Sequence, residues 1–260
     1  MTAAAPPLAA GLTEGLRRLK PAAMRQLAPE LLLTAKTQRW TPEELPRTLV
    51  EAEISARDAS NARTRLKNAA FPVTRTLDEF DPGVSPVPPA TFSCLASLEW
   101  IRARENLCLA GPAGTGKSHL LVALGAAAVQ AGHRVRYHTA AELAETLYRG
   151  LAGNSVGRVI GTLLRNDLIL IDEAGFAPLD DTGAQLLFRV AAAACERRAP
   201  GIASHWPFDQ RGRFLPGHTT AVSLLGCSTT RMSWVPAERK AAIDRRAGAR
   251  RQGPWAVSAS

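Results

Sequence analysis

The stretch Gly111-Pro112-Ala113-Gly114-Thr115-Gly116-Lys117-Ser118 decides the fold of this 260-residue chain. Its spacing, G-x-x-x-x-G-K-[ST], is typical of a P-loop that binds phosphate through its backbone. Residues 106–110 form a short apolar run just before it, which predicts a buried strand. Residues 119–131 contain no proline and are rich in Leu, Val and Ala, which predicts a helix. The motif therefore has the flanking strand and helix that it requires, which argues against a chance glycine-rich turn.

The residue types of the loop indicate how it would hold ATP. Glycines let successive backbone N–H groups point into one anion site, and the start of the following helix adds a partial positive charge. Lys117 is predicted to reach the β- and γ-phosphates, and the Ser118 hydroxyl to ligate Mg²⁺. The predicted nucleotide-binding residues are Gly111, Pro112, Ala113, Gly114, Thr115, Gly116, Lys117, Ser118 and His119.

A second motif, Asp172-Glu173, lies 55 residues after Lys117 and ends the apolar run 168–171. Such a run predicts a buried parallel strand, and ligands bind at the carboxyl ends of parallel strands. This is the Walker B pattern. We expect Asp172 to hold Mg²⁺ through water, and Glu173 to orient and deprotonate the water that attacks ATP.

The next predicted elements are a helix over 181–197 and a weak strand over 201–204, which ends in His205. In AAA+ ATPases the tip of this strand carries a polar residue, sensor 1, which contacts the γ-phosphate or the water. We predict that His205 is sensor 1, so that the catalytic residues are Lys117, Glu173 and His205. The alternative is an unrelated loop histidine.

Residues 1–70 are predicted to form a small helical domain. Leucines recur at roughly helical spacing over 11–33, with breaks at Pro21 and Pro29. Thr41-Pro42-Glu43-Glu44 combines an N-cap residue, a proline at the first helical position and the acidic partner of a capping box, which predicts the start of a long helix.

The end of that long helix is basic. Two interpretations remain: a face that contacts DNA phosphates, and a solvated helix end where cations suit the helix dipole. The candidate DNA-binding residues are Arg57, Arg63, Arg65 and Lys67.

A proline-rich linker over 71–91 separates this domain from the nucleotide-binding domain, predicted over 92–225, which begins with a short helix at 92–103. Leu77, Phe80 and Pro82 in the linker are expected to pack on the core of the nucleotide-binding domain, with contact to adenine as the alternative.

Composition indicates a globular protein with an anionic partner. The chain is 46% hydrophobic, and no apolar run in the sequence is long enough to span a membrane. Four cysteines without metal-ligand spacing and a start without signal-peptide features predict a reduced, cytoplasmic protein with no membrane partner. The net charge of +9 favours nucleic acid as a partner, bound through phosphates without base-specific motifs.

Together these residues resemble the IstB family of ATP-binding helper proteins of insertion sequences, which is related to the helicase loader DnaC. The resemblance runs from about Leu16 to Leu225. It is carried by Phe71-Pro72, Thr76-Leu77-Asp78-Glu79-Phe80-Asp81, Glu105-Asn106-Leu107, the P-loop with His119-Leu120, Thr139-Ala140-Ala141-Glu142-Leu143, and Asp172-Glu173-Ala174-Gly175-Phe176-Ala177-Pro178-Leu179.

The resemblance implies an α/β P-loop NTPase of AAA+ type, with a parallel sheet flanked by helices, behind a helical N-terminal domain. It also implies ATP- and Mg²⁺-dependent homo-oligomers that bind DNA and recruit or regulate a transposase. Two residues depart from the family pattern: His205 stands where Asn is common, and Arg211 where Trp is common.

The larger departure is the segment 226–260, which carries seven Lys or Arg and two acidic residues and has no periodicity. Relatives continue there with Asp-Arg-Leu-Leu-His-His and a final strand, and that arginine resembles an arginine finger that acts on the neighbouring subunit. The resemblance thus implies that a lid or final strand is missing here and that hydrolysis is impaired.

We hypothesise a frameshift, which leaves 226–260 disordered. Residues 226–231 can be spelled GGC-TGC-TCC-ACC-ACG-CG, and the same bases from the third onward read Leu-Leu-His-His-Ala. The alternative is a genuine tail that binds DNA through its arginines. Two other functions stay open: a DnaC-like helicase loader, and a truncated remnant that binds nucleotide without turnover.

Overall fold

The structure is a computed structural model. It describes residues 7–81, 87–111, 113–174, 180–194, 197–204 and, for the backbone alone, 230–234. The chain divides into two compact units, Met1–Thr64 and Arg65–Ser260. Within the described residues, no helix has the length and apolar character needed to cross a membrane.

The first unit is helical. It contains α1 (Ala10–Leu19), α2 (Ala22–Thr37) and most of α3 (Glu44–Ala69). The predicted break at Pro21 is confirmed, but the predicted break at Pro29 is wrong because Pro29 lies inside α2. A proline inside a helix removes one backbone hydrogen bond and crowds the preceding turn, so a helix can continue through it only at a cost in stability.

Two carboxylates accept backbone hydrogen bonds at the starts of α2 and α3. Glu44 accepts a hydrogen bond from the Thr41 N–H, which is half of the predicted capping box, although α3 begins at Glu44 rather than at residue 42. Glu53, which is 7% exposed, accepts hydrogen bonds from the N–H groups of Ala23 and Met24 at the start of α2. The hydrogen bond from Arg57 is the largest cause of the lowered pKa of Glu53, which keeps this carboxylate ionised.

The second unit is built on a parallel sheet, as predicted. Its strands stand in the order β2-β3-β4-β1-β5, and every neighbouring pair is parallel. The strands are β1 (Asn106–Ala110), β2 (Val135–Thr139), β3 (Leu168–Ala174), β4 (Ala199–Ser204) and β5 (Thr230–Trp234).

Six described helices belong to this unit: α4 (Pro89–Ala96), α5 (Glu99–Arg102), α6 (Lys117–Gln130), α7 (Ala140–Ala152), α8 (Val156–Leu163) and α9 (Asp181–Ala194). The single helix predicted over 92–103 is wrong. Leu98 adopts a left-handed conformation, with φ of 58°, and so separates α4 from α5. The predicted capping box of α7 is confirmed by both of its hydrogen bonds, between Thr139 and Glu142.

The predicted loss of the final strand is also wrong. Residues 230–234 form β5, which pairs with β1 in register from Asn106 opposite Thr230 to Ala110 opposite Trp234. Strand pairing uses backbone N–H and C=O groups, so it needs no side-chain periodicity. The absence of a pattern in the sequence therefore did not exclude a strand.

The core lies on both faces of β3. Leu168 and Leu170 pack on the side of α6, and Ile169 and Ile171 pack on the side of α7, α8 and α9. Phe80 is buried in the α6-side cluster and stacks on Phe92, which confirms the core-packing role expected for it; Leu77 packs against the same cluster. Pro82 lies outside the described residues.

Two glycines leave room for Leu170. A Cβ on Gly125 of α6 would lie 2.7 Å from Leu170 Cδ1 and 2.8 Å from the ring of Phe71. A Cβ on Gly201 of β4 would lie 2.8 Å from Leu170 Cδ2. These separations are well below the distance of about 3.5–4.0 Å at which non-bonded carbon atoms pack. Helix α6 and strand β4 can therefore approach Leu170 this closely only because positions 125 and 201 have no side chain.

We expect Gly125→Ala to lower the free energy of unfolding by about 1–3 kcal/mol, because it overpacks a filled core. Urea unfolding of the full chain measures this. Gly161→Ala is the matched control: Gly161 lies in α8 with open space around its Cβ position, so the change there is expected to be neutral or stabilising. Equal effects of the two variants would contradict the prediction.

Candidate nucleotide-binding site

The P-loop connects the end of β1 to the start of α6. Gly114 and Gly116 have φ of 81° and 82°, in the left-handed region that favours glycine. Gly116 is the N-cap residue of α6, which begins at Lys117. The loop is anchored to the neighbouring strand because the Gly111 N–H donates to the Ser204 carbonyl over 3.1 Å.

The two motifs meet at Asp172. The Ser118 hydroxyl donates to Asp172 Oδ1 over 3.0 Å, although the two residues are 54 positions apart. Asp172 is 3% exposed, so its carboxylate depends on hydrogen-bond donors for stability as an anion. The backbone N–H of Glu173 is a second donor to Oδ1, at 2.8 Å.

Tyr137 supplies the donor to the other oxygen. Its hydroxyl donates to Asp172 Oδ2 over 3.0 Å. Burial is the largest cause of the raised pKa of Tyr137, and the negative charge of Asp172 adds to it, so the phenol keeps its proton. The sequence motifs did not indicate this residue, because its role depends on the pairing of β2 with β3.

Lys117 lies half-buried beside the same carboxylate. Burial lowers the pKa of its ammonium group, and the negative charge of Asp172 partly offsets that effect. Its Nζ lies 3.4 Å from the Thr115 hydroxyl oxygen. The ammonium is therefore held at the loop that would surround the phosphates.

Glu173 lies at an irregularity in β3. The register of β3 on β4 shifts there: Ile171 lies opposite Ile202 but Ala174 lies opposite Ser204, so β3 carries one extra residue. Glu173 has φ of 56°, an uncommon conformation for a glutamate. This bulge leaves Glu173 exposed on the wall of a cavity.

Lys117, Ser118, Asp172 and Glu173 line one cavity of about 380 Å³. That volume lies within the range of about 300–1,000 Å³ typical of ligand pockets. Its described lining residues are Ala113, Gly114, Gly116, Lys117, Ser118, His119, Asp172, Glu173, Ala203 and Ser204. The ring of His119 also contacts Phe80 edge-on, with centroids 5.7 Å apart.

The donor set fits Mg²⁺. A hydroxyl oxygen and one carboxylate oxygen, 3.0 Å apart, are hard ligands of the kind that hold this ion together with substrate phosphates. Across the described residues there is no group of three or more His, Cys, Asp or Glu side chains that could hold a metal by themselves. The site therefore fits an ion shared with a nucleotide rather than a dedicated protein cage.

Two predicted site residues, Pro112 and His205, lie outside the described residues. Ser204, which directly precedes His205, ends β4 and lines the cavity, and the sequence motifs did not indicate it. Of the predicted DNA-binding residues, Arg57 and Arg63 belong to the first unit and Arg65 and Lys67 to the second. Arg57 forms an ion pair with Glu53 at 2.8 Å.

A five-stranded parallel sheet with a P-loop after β1 and an Asp-Glu pair at the end of β3 defines a P-loop ATPase fold of AAA+ type. The chain belongs to the IstB-like ATP binding protein family, which matches residues 14–237.

The chain is similar in sequence to two insertion-sequence proteins and in fold to one solved structure. The chain is 30% identical to the Insertion sequence IS21 putative ATP-binding protein of Pseudomonas aeruginosa, over 81% of this chain and 80% of the relative. It is 29% identical to the Insertion sequence IS5376 putative ATP-binding protein of Geobacillus stearothermophilus, over 74% and 76%. The AMPPCP-bound DnaA from Aquifex aeolicus shares the fold, with a TM-score of 0.51 and 19% identity, over 67% of this chain and 55% of that one.

We expect Lys117→Ala to weaken ATP binding roughly 10- to 100-fold, because hydrogen bonds to charged groups contribute about 1.5–3 kcal/mol each. Calorimetric titration with ATP measures the dissociation constant. Lys36→Ala removes an exposed lysine of α2 and is the control, with unchanged affinity expected. Unchanged affinity in Lys117→Ala would show that the cavity does not bind the phosphates.

Proposed function

We propose that the protein is an ATP-binding accessory protein of insertion-sequence transposition, an ATPase by its motifs, which binds DNA and recruits or regulates the transposase of the same element. The observation that carries this proposal is the convergence of Lys117, Ser118, Asp172 and Glu173 on one cavity, in a chain whose relatives are named as insertion-sequence ATP-binding proteins. We place its activity in the cytoplasm.

Each residue has a separate task in this proposal. The loop N–H groups and Lys117 bind the phosphates, and Ser118 with Asp172 would hold Mg²⁺. The bound ion would supply charge stabilisation on the phosphate oxygens. Glu173 is exposed to the cavity and would orient the attacking water and accept its proton. We retain His205 as the predicted sensor 1.

Assembly into a homo-oligomer is part of the proposal. ATP would lie between neighbouring subunits, so that hydrolysis resets their arrangement on DNA. We keep the frameshift in 226–260 as a hypothesis. Its consequence would be the loss of an arginine finger, which would leave ATP binding intact while hydrolysis and assembly fail. Strand β5 does not decide the frame, because backbone pairing is independent of the residues encoded. Re-sequencing codons 220–235 tests the hypothesis directly.

DNA binding is proposed to use the basic residues of α3. Arg63 and Lys67 are exposed, whereas Arg57 is paired with Glu53 and Arg65 is half-buried. Exposed cations that neutralise DNA phosphates release the counterions condensed on the DNA, which gives salt-dependent binding without base specificity. Arg63 is therefore the most direct candidate for a phosphate contact within the first unit.

We expect Glu173→Gln to lower whatever ATP turnover the wild type shows by about 100-fold or more, since a positioned general base contributes roughly 10²–10⁴-fold. A wild-type rate that DNA stimulates and Glu173→Gln abolishes would contradict the hydrolysis defect expected from the frameshift. ATP affinity should change little, because the amide keeps the shape of the side chain. A phosphate-release assay in the presence of DNA measures turnover. Glu145→Gln, at an exposed ion pair with Arg149 in α7, is the control. Full turnover in Glu173→Gln would contradict the assigned role.

We expect Arg63→Ala to weaken binding to duplexes of unrelated sequence equally, and to reduce the salt slope of log K by about one. Fluorescence anisotropy at several salt concentrations measures both quantities. Arg17→Ala is the control, because Arg17 pairs with Glu14 at 2.7 Å in α1. A loss confined to one DNA sequence, or an unchanged slope, would contradict a phosphate contact.

We expect the Glu173→Gln protein to retain the transposase of the same element on an affinity column when ATP is present. Lys117→Ala should retain less, because it would not reach the ATP-bound state. Quantitative immunoblotting of the bound fraction measures the difference. Retention of a replicative helicase in place of the transposase would instead support the helicase-loader alternative.

A further inference from the structure

We propose that Tyr137 is a positioning residue for the magnesium site: its hydroxyl fixes the Asp172 carboxylate so that Oδ1 faces Ser118. The inference rests on the proposed binding of Mg²⁺ with ATP, and it adds a residue outside the two sequence motifs. Tyr137 itself contacts neither nucleotide nor metal in this proposal. It acts through Asp172.

The hydrogen bonds to Asp172 are divided between its two oxygens. Oδ2 accepts from the Tyr137 hydroxyl, at 3.0 Å. Oδ1 accepts from the Ser118 hydroxyl at 3.0 Å and from the Glu173 N–H at 2.8 Å. With Oδ2 bound on the β2 side, Oδ1 is the oxygen presented to the P-loop.

The tyrosine is itself rigidly held. It is 6% exposed, and its ring lies edge-on to Phe71 with centroids 6.2 Å apart. Tyr137 pairs with Leu170 where β2 runs beside β3. Leu170 precedes Asp172 by two positions, so its side chain lies on the same face of the sheet as that of Asp172. Because a strand side chain packed in this way has little rotational freedom, its hydroxyl is a fixed reference for the carboxylate.

Removing the hydroxyl would leave Asp172 Oδ2 without this donor at a buried position. The carboxylate would then be free to rotate toward other donors, and its preferred orientation for Mg²⁺ would be lost. Partners that orient metal ligands from the second layer typically change metal affinity about 10- to 100-fold when mutated. The expected defect is therefore in the metal dependence rather than in the binding of nucleotide alone.

The test compares Tyr137→Phe with Tyr148→Phe. The Tyr148 hydroxyl also donates a hydrogen bond to an aspartate, Asp180. Tyr148 is the matched control because Asp180, unlike Asp172, does not line the cavity. A fluorescent, non-hydrolysable ATP analogue is titrated at a series of Mg²⁺ concentrations and in EDTA. We expect Tyr137→Phe to raise the half-saturating Mg²⁺ concentration about 10-fold, with the affinity in EDTA unchanged. Tyr148→Phe should match the wild type in both.

The outcomes separate the two proposals. Wild-type Mg²⁺ dependence in Tyr137→Phe overturns the positioning role and leaves the proposed function standing. Equal losses of affinity with and without Mg²⁺ also overturn it, because they indicate a structural role alone. A wild-type protein that binds no nucleotide overturns the proposed function, and this inference with it.

A second measurement does not need Tyr137→Phe to fold. The chain has two tyrosines, so Tyr148→Phe leaves Tyr137 as its single tyrosine. Labelled with 3-fluorotyrosine, that variant should give one ¹⁹F resonance. We expect this resonance to shift when the non-hydrolysable ATP analogue is added with Mg²⁺, and to shift less when it is added with EDTA. A resonance indifferent to Mg²⁺ overturns the inference.

Discussion

The hydrogen bond from Ser118 to Asp172 is the contact on which the site depends. It joins the first turn of α6 to the end of β3, and so brings the phosphate loop to the edge of the sheet where the carboxylates emerge. A buried carboxylate is stable as an anion only with donors on its oxygens, and this one has donors on both. The hydrogen bonds that satisfy this charge also connect α6, β2 and β3 at the edge of the cavity.

Much of the fold and most of the candidate site could be predicted because short stretches of neighbouring residues determine them. The P-loop, the apolar β3 run and the Thr139–Glu142 capping box each specify a local structure within a few positions. What could not be predicted depends on strand order. Tyr137 reaches Asp172 only because β2 pairs with β3, and the bulge at Glu173 exists only relative to β4. Neither partner is visible from the local sequence.

The errors have the same physical origin. Pro29 sits inside α2, although the local pattern predicted a break there. Residues 230–234 form a strand, although the resemblance and the lack of periodicity implied that the final strand was missing. Propensity describes what a segment prefers alone, whereas neighbouring elements decide what it adopts. An edge of β1 offers backbone hydrogen bonds to any short extended segment, so composition was a poor guide there.

The packing of Leu170 against Gly125 and Gly201 limits which substitutions the core can accept. Because side chains at positions 125 and 201 would both occupy the space that Leu170 fills, the three positions share one fixed volume. A methyl group gained at Gly201 requires a smaller residue at 170, and one gained at Gly125 also requires the ring of Phe71 to give way. Cores accept such exchanges when total volume is kept. Substitutions at these sites should therefore be correlated among descendants of this gene, although the three residues are distant in the chain and carry no chemistry.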